Sequence, residues 1–273
     1  MKIDKNFFIA IAVVELLIII FGFFYFLFNT QLIQQKLPSI IVINIEGDIS
    51  STIFSGLLEK RGQNRQKGTS ATSVIRALEF FSQDPSIKGF ILEINSTDGQ
   101  TAGQEEIVRY IKRMNKPVIA VITGSALSSG YYVASGTEKI YADSSATIGN
   151  LGNTFAYVNR LRNGQEQVCY VTSSNYKNIK INDCLGFEQN VFDMLKNYVG
   201  SRHEILVNNI AQIRNLSVDE VKSLDNTTMI SYQALKLGLV DEIGTTSDAI
   251  NWLQTKLGVQ LYIINLRDII NQK

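Results

Sequence analysis

Histidine is almost absent: His203 is the single one in 273 residues. A Ser-His-Asp triad, a Cys-His dyad or a multi-histidine metal site would each have to be built on that one side chain. It falls in a helical stretch whose apolar stripe runs Phe187, Val191, Leu195, Tyr198, Ile205, Ile210 and Ile213. His203 lies off the stripe, so the pattern predicts an exposed histidine and a chemistry that does without imidazole. Net charge is equally scarce. Lys+Arg 26 against Asp+Glu 25 leaves a formal +1, which argues against nucleic acid as the main partner. No repeat, low-complexity tract or Pro/Gly/Ser linker divides the chain, and nothing in it calls for a metal or a cofactor. Its length fits one large α/β domain or two small ones after an N-terminal anchor.

That anchor is the one long hydrophobic run. Residues 7–28 are almost unbroken apolar sequence, roughly 33 Å of helix at about 1.5 Å per residue, enough for a bilayer core. A cleaved signal peptide would need small residues at its end, whereas Tyr25, Phe26 and Phe28 are bulky. The pattern predicts a short tail over 1–6, an uncleaved transmembrane helix over 7–28, a linker over 29–38 and a folded domain over 39–273. Lys2 and Lys5 precede the run and Lys36 is the first charge after it. The positive-inside rule then puts the N-terminus in the cytoplasm and the domain in the periplasm or outside the cell. Glu15 within the span faces either a partner helix or, on a tilted helix, the interface.

Beyond the linker, strands and helices alternate. Residues 39–45, 89–95 and 117–123 are apolar runs that predict buried strands. Val74, Leu78 and Phe81 stripe one intervening helix, and Ile107, Ile111 and Met114 another. Residues 55–70 read as a polar loop. Shorter strands are predicted at 139–142, 154–158 and 167–171, a long helical region at 186–214, helices at 232–237 and 247–257, and a last strand at 261–265. Ser217 and Glu220 have capping-box spacing. The alternation predicts parallel strands joined by crossover helices, an α/β class.

The third strand runs into Gly124-Ser125-Ala126-Leu127-Ser128-Ser129-Gly130-Tyr131-Tyr132-Val133-Ala134. Small residues make a corner there and a short helix follows, with Ser128 at its start. Unpaired N–H groups at such a position favour a developing negative charge, which suits a nucleophile. A serine that merely caps the helix is the other reading, and local pattern leaves both open.

Several segments together resemble the signal peptide peptidase A family of membrane-anchored Ser-Lys proteases. Asn95-Ser96-Thr97-Asp98-Gly99 is similar to a strand end Asn-Ser-Pro-Gly-Gly; Lys116-Pro117-Val118 matches a Lys-Pro-Val strand; Ser128-Ser129-Gly130-Tyr131-Tyr132 resembles Ser-Gly-Gly-Tyr-Tyr. Gly149-Asn150-Leu151-Gly152 resembles Gly-Ser-Ile-Gly, and Thr172 to Lys177 a Lys-Ser-Gly-x-x-Lys context. The run from Gln233-Ala234 through Gly238-Leu239-Val240-Asp241-Glu242-Ile243-Gly244 is similar to the family's C-terminal signature. The resemblance implies a ClpP/crotonase-like fold, Ser128 as nucleophile and Lys177 as general base. It implies oxyanion or substrate contacts at Asp98, Gly99, Ser129 and Gly130. It also implies peptide substrates, such as spent signal peptides at the lipid bilayer, and a homo-oligomer whose neighbouring subunits share active sites.

The chain departs from the pattern at Asp98, where the family has glycine, at Ser129, and at Thr227-Thr228-Met229-Ile230, which lacks a glycine-arginine pair. These departures keep a catalytically lapsed homologue, a scaffold or peptide-binding module, as the alternative function. A soluble acyl-thioester enzyme of the same superfold fits the anchor poorly. The only two cysteines, Cys169 and Cys184, bracket Lys177. In an exported domain they could bridge, closing a loop of about 15 residues worth roughly 3 kcal/mol; two unpaired thiols are the other reading.

Overall fold

The computed structural model describes residues 19–20, 37–51, 68–160, 166–173 and 189–271. Residues from Pro38 onward form a compact unit of their own. The predicted anchor falls outside the described residues except for Ile19 and Ile20, which are helical. Among the described residues no helix is long and apolar enough to cross a membrane.

The strands are β1 Ser39–Glu46, β2 Ile49–Ser50, β3 Thr69–Ser70, β4 Ile87–Ser96, β5 Val118–Leu127, β6 Lys139–Ala142, β7 Thr147–Gly149, β8 Thr154–Arg160, β9 Glu166–Thr172, β10 Thr228–Ile230, β11 Glu242–Ile243 and β12 Tyr262–Asn265. The helices are α1 Ala71–Ser82, α2 Thr101–Ile111, α3 Ser129–Ser135, α4 Gln189–Arg214, α5 Val218–Ser223, α6 Ser231–Lys236, α7 Thr246–Leu257 and α8 Leu266–Asn271.

The main sheet runs β10-β7-β5-β4-β1-β12, with β6 also on β5 and β11 on β6. All its pairings are parallel except β10 with β7. Helices cover both faces, which is why β1, β4 and β5 read as continuous apolar runs rather than alternating ones. Ile41, Ile43, Ile45, Phe90, Leu92 and Ile94 point into the larger core with α1, α2 and α3. Ile40, Val42, Ile91, Ile119 and Val121 meet Ala249 and Leu253 of α7 on the other face. Ser217 and Glu220 form the expected capping box of α5.

Strand β5 continues to Leu127, four residues past its predicted end, because it changes neighbour. It pairs with β6 at Ile119 to Ile122 and then with β7 at Ser125 to Leu127. That exchange carries the chain to Ser128.

Helix α4 buries the predicted stripe only in part: Leu195 and Ile210 are buried and Val191 and Ile213 pack against core residues, but the buried face extends to one side of it. Leu195, Val199, His203, Leu206, Val207, Ile210 and Ala211 are buried, whereas Tyr198 and Ile205 are 49% and 52% exposed. His203, expected at the surface, is 8% exposed. The helix carries apolar residues on two faces, and the one that meets α3, α5 and β9 buries the histidine with it.

Candidate active site

Four segments meet where β4 and β5 end, the carboxyl edge at which parallel sheets gather their chemistry. Ser128 follows β5 directly. Its backbone sits at φ 49 and ψ −114, a region that a non-glycine residue occupies only under strain of about 1–3 kcal/mol. Its N–H donates to Gly149 O at 2.9 Å and its carbonyl accepts from Tyr132 N at 3.1 Å. Ser128 occupies the N-cap position of α3, but its side chain makes no capping hydrogen bond. The capping role that local pattern left open is therefore not what holds this serine in place.

The adjacent candidates have different surroundings. Ser129 is 2% exposed within the first turn of α3. Gly130 lets α3 lie against β4, since a Cβ there would stand 2.8 Å from Ser96 O. The β4 and β5 ends are laced by Asn95, whose Oδ1 accepts from Ser125 N at 3.0 Å. A side chain at Gly124 would strike the same oxygen at 2.6 Å.

Asp98 and Gly99 cross the end of β4 and bridge to β2. Ile49 N donates to Asp98 O at 3.1 Å and Gln100 N to Ile49 O at 2.6 Å. A Cβ on Gly99 would lie 2.7 Å from Ile49 O, so only glycine fits. The Asp98 side chain is exposed, and its Oδ1 accepts the Gly99 N–H at 2.7 Å. In this chain the amide expected to hold an oxyanion already donates to a carboxylate.

Lys177 and Cys184 lie outside the described residues, as does the Cys169 side chain, although Cys169 belongs to β9. Among the described residues, no cluster of three or more His, Cys, Asp or Glu comes together as metal ligands would. A cleft of about 390 Å³ opens beside Gly99 and Thr101, between the start of α2, β8 and α4. Its wall includes Phe155 edge-on to Tyr198, ring centres 6.2 Å apart. Arg202 donates to the Tyr198 hydroxyl at 3.0 Å.

Three supporting contacts were not legible in the sequence. The Tyr131 hydroxyl donates to Leu239 O at 3.0 Å, and full burial pushes that phenol well above its ordinary range, so it stays a neutral donor. The Arg214 guanidinium, at the end of α4, donates to Gly238 O and to both Asp241 oxygens. His203 Nε2 lies 3.8 Å from Asp225 Oδ2. Burial lifts the Asp225 carboxyl above its usual range, and His203 draws it part of the way back.

The model of peptidase family S49 matches residues 111–260. The chain is 28% identical over 223 residues to an Enterococcus faecium protein named as a signal peptide peptidase SppA, covering 79% of this chain and 62% of that one. It is 26% identical over 220 residues to Protease 4 of Haemophilus influenzae, covering 78% of this chain and 34% of that one. With the capsid assembly protease C of Escherichia phage lambda it shares 23% over 211 residues, 74% of this chain and 48% of that one. The chain thus spans less than two thirds of the length of each of these three relatives. The family match takes in Ser128, the corner behind it and the whole 238–244 signature, and on it the chain belongs to peptidase family S49.

Proposed function

We propose that the protein is a membrane-anchored serine peptidase that cleaves small membrane-associated peptides, among them spent signal peptides, with a Ser128–Lys177 dyad. The observation that carries this reading is Ser128 itself, held in a strained backbone conformation after β5 with its hydroxyl unused as a cap. The neutral Lys177 amine takes the Ser128 proton as Oγ attacks the scissile carbonyl. The proton passes to the leaving amine, and water then hydrolyses the acyl-enzyme. A lysine titrates near about 10.4 in water, so a working base requires desolvation. The Phe155–Tyr198 wall of the cleft suits apolar peptide side chains. The anchor over 7–28, a cytoplasmic N-terminus and an exported domain over 39–273 complete the reading.

The active sites are shared between subunits of a homo-oligomer, with Lys177 serving a neighbour's Ser128. In support, Met194, Tyr198 and Ile205 form an exposed apolar stripe on α4. A catalytically lapsed scaffold is favoured by one specific observation, the Asp98 carboxylate on the Gly99 amide.

The deciding experiment treats the full chain in detergent with a serine-reactive fluorophosphonate and maps the adduct. Labelling at Ser128, abolished by Ser128→Ala and by Lys177→Ala or Lys177→Arg and rising with pH, is the expected result. An adduct elsewhere, or no adduct on a folded protein, overturns the assignment.

A further inference from the structure

His203 is the chain's only histidine, and the dyad does not use it. Its side chain and that of Asp225 are 10% and 15% exposed, and its Nδ1 has no partner among the described residues. A buried pair of this kind is costly to keep and is poor evidence of a device for stability alone. Its location offers a role.

Asp225 opens the turn between α5 and β10. Asn226 takes a left-handed conformation at φ 56 and its Nδ2 donates to Asp225 Oδ1 at 2.9 Å. The turn presses on the 149–152 segment at two points. A Cβ on Gly152 would stand 2.5 Å from Asp225 Oδ1 and 2.2 Å from Asn226 Oδ1, and one on Gly149 would stand 2.2 Å from Thr227 O. Thr227 O also accepts from Asn150 N at 2.7 Å. Gly149, at φ 120, is the residue whose carbonyl accepts the Ser128 N–H.

We propose that the His203–Asp225 pair is a positioning element for the reactive serine. It fixes the 225–227 turn against the 149–152 segment, and that segment fixes the backbone of Ser128. The inference rests on Ser128 being the nucleophile. His203 touches neither substrate nor the reacting atoms, so its loss acts on the rate of the covalent step rather than on capture of the reagent. The other charged groups nearby do not substitute for it. Lys222 is paired with Glu204 at 2.8 Å, and Asp219 and Glu220 lie on the exposed side of α5.

The test is the concentration dependence of fluorophosphonate labelling at Ser128 in the full chain, which separates the limiting rate from half-saturation. It is run below the unfolding midpoint of every variant. His203→Leu is expected to lower the limiting rate about 10- to 100-fold, the range for a small misplacement of a reacting group, with half-saturation unchanged. His203→Gln keeps a polar side chain beside Asp225 and is expected to recover most of the loss. If His203→Leu does not fold, Asp225→Ala gives the same reading. A wild-type limiting rate in the folded variants overturns the proposal, and so do equal losses in His203→Leu and His203→Gln. Absence of labelling at Ser128 in the wild type removes the nucleophile assignment and this inference with it, whereas indifferent variants of a labelled wild type remove only the inference.

Discussion

Asp98 brings a negative charge to the end of β4, where its Oδ1 engages the Gly99 N–H. An oxyanion donor is worth about 2.7–4 kcal/mol in the transition state, and an amide already donating to a carboxylate must exchange it for substrate. The carboxylate is exposed and can swing into water, so only part of that energy is at stake. Asp98→Ala is expected to raise kcat/KM and the labelling rate on the order of 10-fold, a fraction of that ceiling; unchanged rates would show that the carboxylate does not compete for the Gly99 amide during the reaction. At this scale the place of Ser128 was legible, because an apolar strand, small residues and a short helix mark the corner where it sits; its role was not, since local pattern left a nucleophile and a cap both open. The Asp98–Gly99 bond was not. Sequence shows that a carboxylate has replaced a glycine, and only geometry shows which donor it meets. His203 was misread for a related reason. Periodicity finds apolar faces on a helix, but which of two faces packs inward depends on elements far away in the chain.

The 238–241 stretch and α3 act together as one element. Tyr131, three residues after Ser128, donates to Leu239 O. Arg214 clamps Gly238 and Asp241, and Asp241 Oδ2 accepts Ile140 N at 2.8 Å. The helix carrying the serine, the end of α4 and strand β6 are thereby tied to one short peptide. This gives the C-terminal signature a physical meaning that its residue types do not announce. Tyr131→Phe leaves Leu239 O without this donor and is expected to cost about 1–3 kcal/mol. Arg214→Met takes the guanidinium from Gly238 O and Asp241 and is expected to cost about 1.5–3 kcal/mol, the range for hydrogen bonds to a charged group, because Asp241 keeps the Ile140 N–H and 33% side-chain exposure. Denaturant midpoints measure both. The strands and helices themselves were largely legible from alternation, whereas β2, β3, β7, β10 and β11 were not. Those are only two or three residues long, too short to show a period.

For the whole molecule, alternating strands and helices led to a parallel α/β sheet, but the order β10-β7-β5-β4-β1-β12 was hidden, since crossovers leave no local mark. Sharing of sites between subunits is testable at this scale. Co-expressed Ser128→Ala and Lys177→Ala chains are expected to recover a fraction of wild-type turnover that each lacks alone, because some interfaces then pair an intact serine with an intact lysine. Persistent inactivity in verified mixed oligomers would place the dyad within one chain. The backbone angles of Ser128 bear on the molecule as a whole too. At φ 49 and ψ −114 a glycine would sit without the strain of about 1–3 kcal/mol, at an entropic cost of about 0.5–1 kcal/mol. Ser128→Gly is therefore expected to be inert and yet to melt higher, by about 2–4 °C for each kcal/mol gained. A stability–activity trade-off would then reside in one residue, and selection for thermal tolerance alone would drive this chain toward losing the serine proposed as its nucleophile.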